Sequence, residues 1–159
     1  MRTVVPGRHT ALVDDEVIVF LVGMRINRWW KPHKWLPVMR AMGRMLRELE
    51  ARPEIGCLGG MQWVGRTTVL VQYWKSFGAL EAYAKNREAA HLPAWTAFNR
   101  AVGSNGDVGV WHETFRVPPG DVECIYVNMP PFGLAKATRS VPATGPRASA
   151  RGRMSGGAS

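Results

Sequence analysis

The residues most suited to chemistry lie around two of the chain's four histidines, His91 and His112, in the run HLPAWTAFNRAVGSNGD (residues 91–107) and the strand-like VGVWHETFR (108–116) that follows it. A neutral imidazole titrates near neutrality and binds metals, so His91 suits a general base or a metal ligand, and a helix cap is its structural alternative. His112 beside Glu113 suggests a histidine–carboxylate pair. Strand neighbours point to opposite faces, however, so only one of the two can look into a pocket. A cross-strand or dimer contact is the alternative for either. Arg25, Asn27, Gln72 and Asn105 carry the amide and guanidinium groups that would orient a carbonyl or carboxylate, with loop-backbone satisfaction as their other use. Of seven tryptophans, Trp74 and Trp95 are the candidates for pocket walls, and the others suit core and interface packing.

Positioning those groups requires alternating elements. Val17 to Asn27 is rich in β-branched and aromatic residues and predicts a buried strand whose end carries Gly23, Arg25 and Asn27 on one face. From Lys34 to Ala51, Trp35, Val38, Met39, Met42, Leu46 and Leu49 recur at helical spacing, with Arg40, Arg44 and Arg47 on a separate stripe that reads as a solvated face. The stretches from Ile55 to Gly65 and from Thr67 to Phe77 predict an antiparallel hairpin. Its second strand sets Gln72 and Trp74 on one face and Val69, Val71 and Tyr73 on the other. A second helix from Gly78 should break near His91, because Pro93 lacks an amide hydrogen and disfavours helix at Leu92. A side chain at such a break can turn into a cavity. Val108 to Val117 and Val122 to Met129 are the last strand candidates.

Strand, helix, strand, strand, helix, strand is the split βαβ order: an α+β ferredoxin-like antiparallel sheet with two helices on one face. The first strand is apolar on both sides, so the other face also needs cover, which a second copy of the sheet would supply. The division expected is a domain over residues 1–133 and a basic Gly/Pro/Ser/Arg-rich tail over 134–159, its last twenty or so residues extended or disordered.

The net charge of +9 raises the question of nucleic acid. Five basic residues and no acid lie from Leu134 onward, leaving 16 basic against 12 acidic groups in the rest, so no specific nucleic-acid partner is expected. No apolar run reaches the roughly 18 residues of a membrane span. With no secretory signal read at the N-terminus, a cytoplasmic location is expected. Cys57 and Cys124 lack zinc-site spacing and read as buried free thiols; sequence does not show whether they pair.

The strand order, Tyr73-Trp74-Lys75-Ser76-Phe77, His91-Leu-Pro-Ala-Trp95 and Trp111-His-Glu-Thr114 resemble the dimeric α/β-barrel superfamily. Within it they most resemble the monooxygenase-like family named after a fumagillin-pathway polyketide oxygenase, over roughly Val5 to Thr144. The resemblance implies a homodimer with a pocket between the helices and the sheet, holding a small hydrophobic or aromatic molecule. It implies an oxygenase-type oxidoreductase with His91, His112 and Asn105 as catalytic candidates and Arg25, Asn27, Gln72, Trp74 and Trp95 around the substrate. Relatives work either without a cofactor or with haem, so the cofactor is none or haem, with His91 as the iron ligand in the second case. A haem protein that degrades haem or acts as an aldoxime-dehydratase-like lyase, and a non-catalytic binder, are the alternatives.

Overall fold

A computed structural model describes residues 3–86, 96, 103 and 105–154 of the chain. Its centre is a four-stranded antiparallel sheet of β2 (Val17–Ile26), β3 (Cys57–Trp63), β4 (Thr67–Trp74) and β5 (Val108–Val117), in the order β3-β4-β2-β5. With α1 (Pro32–Ala51) after β2 and α2 (Phe77–Lys85) after β4, this is the ferredoxin-like arrangement. Pro32 opens α1, where its fixed φ helps and its missing amide hydrogen costs nothing. Ser76 caps α2, its hydroxyl accepting from the Ala79 amide at 3.1 Å.

Register decides which residues share a face. Ile18 pairs with Trp74, Phe20 with Gln72 and Met24 with Thr68, so the even positions of β2 and β4 lie together under the helices. Ile18, Trp74, Leu49, Leu80 and Tyr83 form one buried cluster, and Met24, Ile26, Leu70, Met42 and Val108 a second. The odd positions Val19, Leu21, Val69, Val71 and Trp111 line the other face and stay half-buried. Gly23 permits the close approach there: a Cβ would collide with the Thr68 carbonyl and sit 2.8 Å from the Trp111 indole nitrogen.

A second, three-stranded sheet joins the two ends of the chain. Here β1 (Val5–Leu12) lies between β6 (Tyr126–Met129) and β7 (Arg139–Pro142), antiparallel to both. A short helix α3 (Gly133–Ala137) connects β6 to β7 and lies against β3, the Ala137 Cβ 3.6 Å from where a Cβ on Gly59 would be. Phe132 meets Trp63 edge-on at 6.3 Å. Part of the face that a second copy was expected to cover is therefore covered by the chain itself.

The C-terminal expectation is corrected accordingly. Residues 140–154 are folded: Val141 and Pro142 pair with Thr10 and His9, Ala143 is buried, and α4 (Ala150–Met154) ends the described chain. The basic side chains there find acids, Arg139 pairing with Asp14 at 3.3 Å and Arg153 with Glu123. Sheet pairing and ion pairs order a segment whose composition alone reads as disordered. The strand expected from Val122 starts at Tyr126, as β6, and α2 ends at Lys85, six residues before His91, where Asn86 turns extended. No helix among the described residues is long and apolar enough to cross a membrane.

Candidate functional site at the edge of the sheet

β3 is an edge strand, and its glycines shape what lies beside it. Gly60 faces Gln72 across the β3–β4 pairing, and a Cβ on Gly60 would lie 2.9 Å from the Val71 carbonyl and 3.5 Å from the Gln72 Cγ. With no side chain there, Gln72 reaches across its neighbour to the sheet edge. A cavity of about 360 Å³ opens at that edge between α1, β3 and α3. Leu46 and Leu49 of α1, Met61 of β3 and Ala137 of α3 give it apolar walls, while Glu50 and Lys136 supply charge. Burial pushes the thiol of Cys57, also in the lining, above its ordinary pKa and keeps it protonated.

Gln72 is the buried polar side chain of this cavity. Only 1% exposed, it accepts at Oε1 from the Trp74 indole N–H at 2.9 Å. An indole nitrogen only donates, so this bond fixes the amide orientation and leaves Nε2 as the other arm. That Nε2 is buried and has no hydrogen-bond partner. Behind it, Trp74 is fully buried with its ring centroid 5.5 Å from that of Tyr83, whose hydroxyl donates to Glu48 at 2.9 Å. Burial, then the Glu48 carboxylate, push the Tyr83 pKa far up, so the phenol stays a donor. The chain from Glu48 through Tyr83 and Trp74 thus holds one amide donor beside an apolar cavity.

A second polar cluster, at the opposite ends of the strands, has the reverse character. Asp107, 2% exposed, receives Lys31 Nζ at 3.2 and 3.0 Å and Arg28 Nη1 at 3.2 Å. Its carbonyl accepts from the Asn27 and Arg28 amides, and its own amide donates to Asn105 Oδ1 at 2.9 Å. The Lys31 hydrogen bond leads the effects that lower the Asp107 pKa. Asn27 Nδ2 donates to the Gly106 carbonyl at 3.0 Å, and Arg25 Nη1 to Thr67 Oγ1 at 2.7 Å. This cluster ties the β2–α1 loop to the loop before β5. Asp107 went unrecognised in the sequence, where the signal was a carboxylate after Asn-Gly and a basic run from Arg28 to Lys34.

The expected site residues therefore separate. Gln72 and Trp74 share the helix-side face as expected, but Trp74 is a buried support behind Gln72 and does not line the cavity. Arg25, at an odd position of β2, and Asn27, just past its end, both lie beside Gly109 and away from Gln72, and Asn105 is engaged with Asp107; these three are not brought to the cavity. His112 shares the helix-side face, opposite Val22 and 5.9 Å from the Phe20 ring, but β5 is the far edge of the sheet. Glu113 points the other way, opposite Leu21, so the two do not pair. His91 and Trp95 lie outside the described residues.

Haem fits the described lining poorly. No imidazole lines the cavity among the described residues, and burial disfavours the Cys57 thiolate that would bind iron. Both cysteines are free thiols, Cys124 accepting from the Ala11 amide at 3.3 Å.

Fold and cavity together define a ferredoxin-like α+β protein with a cavity at its sheet edge. The profile of the Monooxygenase af470-like family matches residues 17–134, and the chain belongs to that family. It is 27% identical over 157 residues to Monooxygenase af470 of Aspergillus fumigatus, a match covering 86% of this chain and 56% of that protein. The chain thus corresponds to little more than half the length of that relative. Among solved structures it is similar to SnoaB, a cofactor-independent oxygenase from Streptomyces nogalater, at TM-score 0.45 and 16% identity, over 64% of this chain and 91% of that one. It is also similar to the heme-degrader MhuD of Mycobacterium tuberculosis, at TM-score 0.37 and 19% identity, over 63% and 94%.

Proposed function

We propose that the protein is a cofactor-independent oxygenase of small aromatic molecules that carry an acceptor oxygen, bound in the β3-edge cavity with that oxygen on Gln72 Nε2. The unpartnered buried amide carries the reading: leaving it unpaired costs about 1–3 kcal/mol, which a ligand oxygen would recover. A phenolate suits it best, because the Nε2–H group stabilises negative oxygen more strongly than neutral oxygen. The apolar walls of Leu46, Leu49, Met61 and Ala137 lower the polarity around the anion and so strengthen that hydrogen bond.

A base takes the phenol proton, and the electron-rich ring then reduces oxygen. With a naphthol the balance is naphthol plus O₂ giving naphthoquinone plus water. One oxygen atom forms the new carbonyl, the other leaves as water, and the substrate supplies all four electrons. The base is assigned to His91 on the family resemblance; His112, on the far edge strand β5, is not in the cavity lining. Pairing of two copies through the half-buried face at Val19, Leu21, Val71 and Trp111 completes the proposal.

Oxygen consumption with a naphthol, alongside the visible spectrum of protein produced with adequate iron, tests it. One equivalent of oxygen per quinone, lost in His91→Ala, supports the reading. A Soret band that disappears in His91→Ala would replace it with haem chemistry. Saturable naphthol binding without oxygen uptake would make the chain a binder.

A further inference from the structure

We propose that the end of the sheet carrying Trp29, Trp30 and Val64 docks the protein onto an anionic lipid surface. These three side chains are 67%, 62% and 64% exposed. They sit on two loops locked side by side: the Ile26 amide donates to the Arg66 carbonyl at 2.8 Å, and the Arg66 guanidinium reaches the Ile26 and Asn27 carbonyls. Trp35 Nε1 holds the Trp29 carbonyl at 3.0 Å. The tryptophans are thus presented to solvent from a braced platform.

Charge at this end is one-sided. Arg25, Arg28, Lys31, Lys34 and Arg66 gather there, and the one described carboxylate among them, Asp107, is buried beneath Arg28 and Lys31. Asp14, Asp15 and Glu16 precede β2 and so lie at the other end of the sheet, and Glu48, Glu50 and Glu54 follow at the far end of α1. Tryptophan rings settle at the headgroup level of a bilayer, and lysine and arginine beside them meet anionic headgroups. Nucleic acid fits less well: single strands are held in a groove that tracks the backbone, with bases stacked on aromatic faces, and Val64 offers no such face. The inference is independent of what the cavity binds.

Sedimentation of the full chain with vesicles of equal parts phosphatidylcholine and phosphatidylserine, with phosphatidylcholine alone, and with single-stranded DNA tests it. Binding to the mixed vesicles is expected to weaken with salt and to exceed binding to phosphatidylcholine. Trp29→Ala with Trp30→Ala should lower it about tenfold and Val64→Gln a few-fold. Circular dichroism and oligomeric state should not change, because Trp35 grips a main-chain carbonyl that alanine retains. Mixed-vesicle binding undiminished in the tryptophan variant overturns the proposal. So does retention on single-stranded DNA without vesicle binding, or a change of oligomeric state in the variant, which would make the patch a protein interface.

Discussion

The two polar clusters, at opposite ends of the strands, use their hydrogen-bonding capacity in opposite ways. Around Asp107 two cations, two backbone amides and the Asn105 amide oxygen are drawn together, and Asn27 and Arg25 each find a partner nearby. At the β3 edge, by contrast, a fully buried amide keeps one arm unbonded beside open volume. Saturation is what a structural joint needs, because each buried unpaired group subtracts from a small net stability. The unsaturated donor is the better pointer to a ligand, although both clusters are made of residue types that a sequence reading places together.

The largest effect should come from removing the support behind the amide. Trp74→Ala deletes a fully buried indole from the core cluster and is expected to cost about 3–5 kcal/mol in urea unfolding. A loss below about 1 kcal/mol would mean that the core does not depend on it. Next, Asp107→Ala should lower the melting temperature while naphthol affinity per folded molecule stays the same, since the joint lies away from the cavity. Changed affinity would join the clusters that the structure separates. Third, Gln72→Glu keeps an acceptor for Trp74 but replaces the free donor with a carboxylate. Naphthol affinity should fall roughly ten- to hundred-fold and recover as lower pH protonates the new acid. Unchanged affinity at neutral pH removes the amide from the site.

How much of this was legible depends on whether a feature is local. Alternation within β4 put Gln72 and Trp74 on one face and Val69, Val71 and Tyr73 on the other, and the structure agrees. Composition likewise located β2, the hairpin and β5. Parity between strands was not legible, because it follows from register: Ile18 opposite Trp74 sends Arg25 and Asn27 to the far face. β1 was missed since Val-Pro-Gly-Arg-His-Thr-Ala-Leu neither alternates nor forms an apolar run, and Gly7 at φ +83° interrupts it. β7 is four residues long and exists only as a partner of β1. The cavity needed α3 to be seated on Gly59, a contact between residues far apart in sequence.

The clusters should also part along the pH axis. The lowered Asp107 pKa means that its contribution to stability is present above its ordinary value of 3.8 and lost as pH falls through the folded value. Asp107→Ala should therefore flatten the acid limb of the stability curve. All three tyrosines are raised, Tyr126 to about 12 by burial and then by Cys124, and the fold favours their neutral form. Their contribution is complete below the ordinary value of 10 and lost as pH rises toward the folded values. Ultraviolet titration should show little tyrosinate near pH 10 in folded protein; a normal titration there would mean that these rings are open to solvent.

The smallest effect is the sharpest test of the separation. Arg25→Ala with Asn27→Ala removes two groups that chemistry alone would assign to a carbonyl or carboxylate. In the structure they bond to Thr67 Oγ1 and the Gly106 carbonyl, on the face turned away from Gln72. The variant gives up two partly exposed hydrogen bonds, about 0.5–1.5 kcal/mol each, with no cavity atom disturbed. Naphthol affinity should stay within about twofold, since no ligand contact is lost. A tenfold loss would mean that the ligand reaches the other face of the sheet. The unpaired amide would then be a packing defect, and the pocket would have to be sought between two copies of the chain.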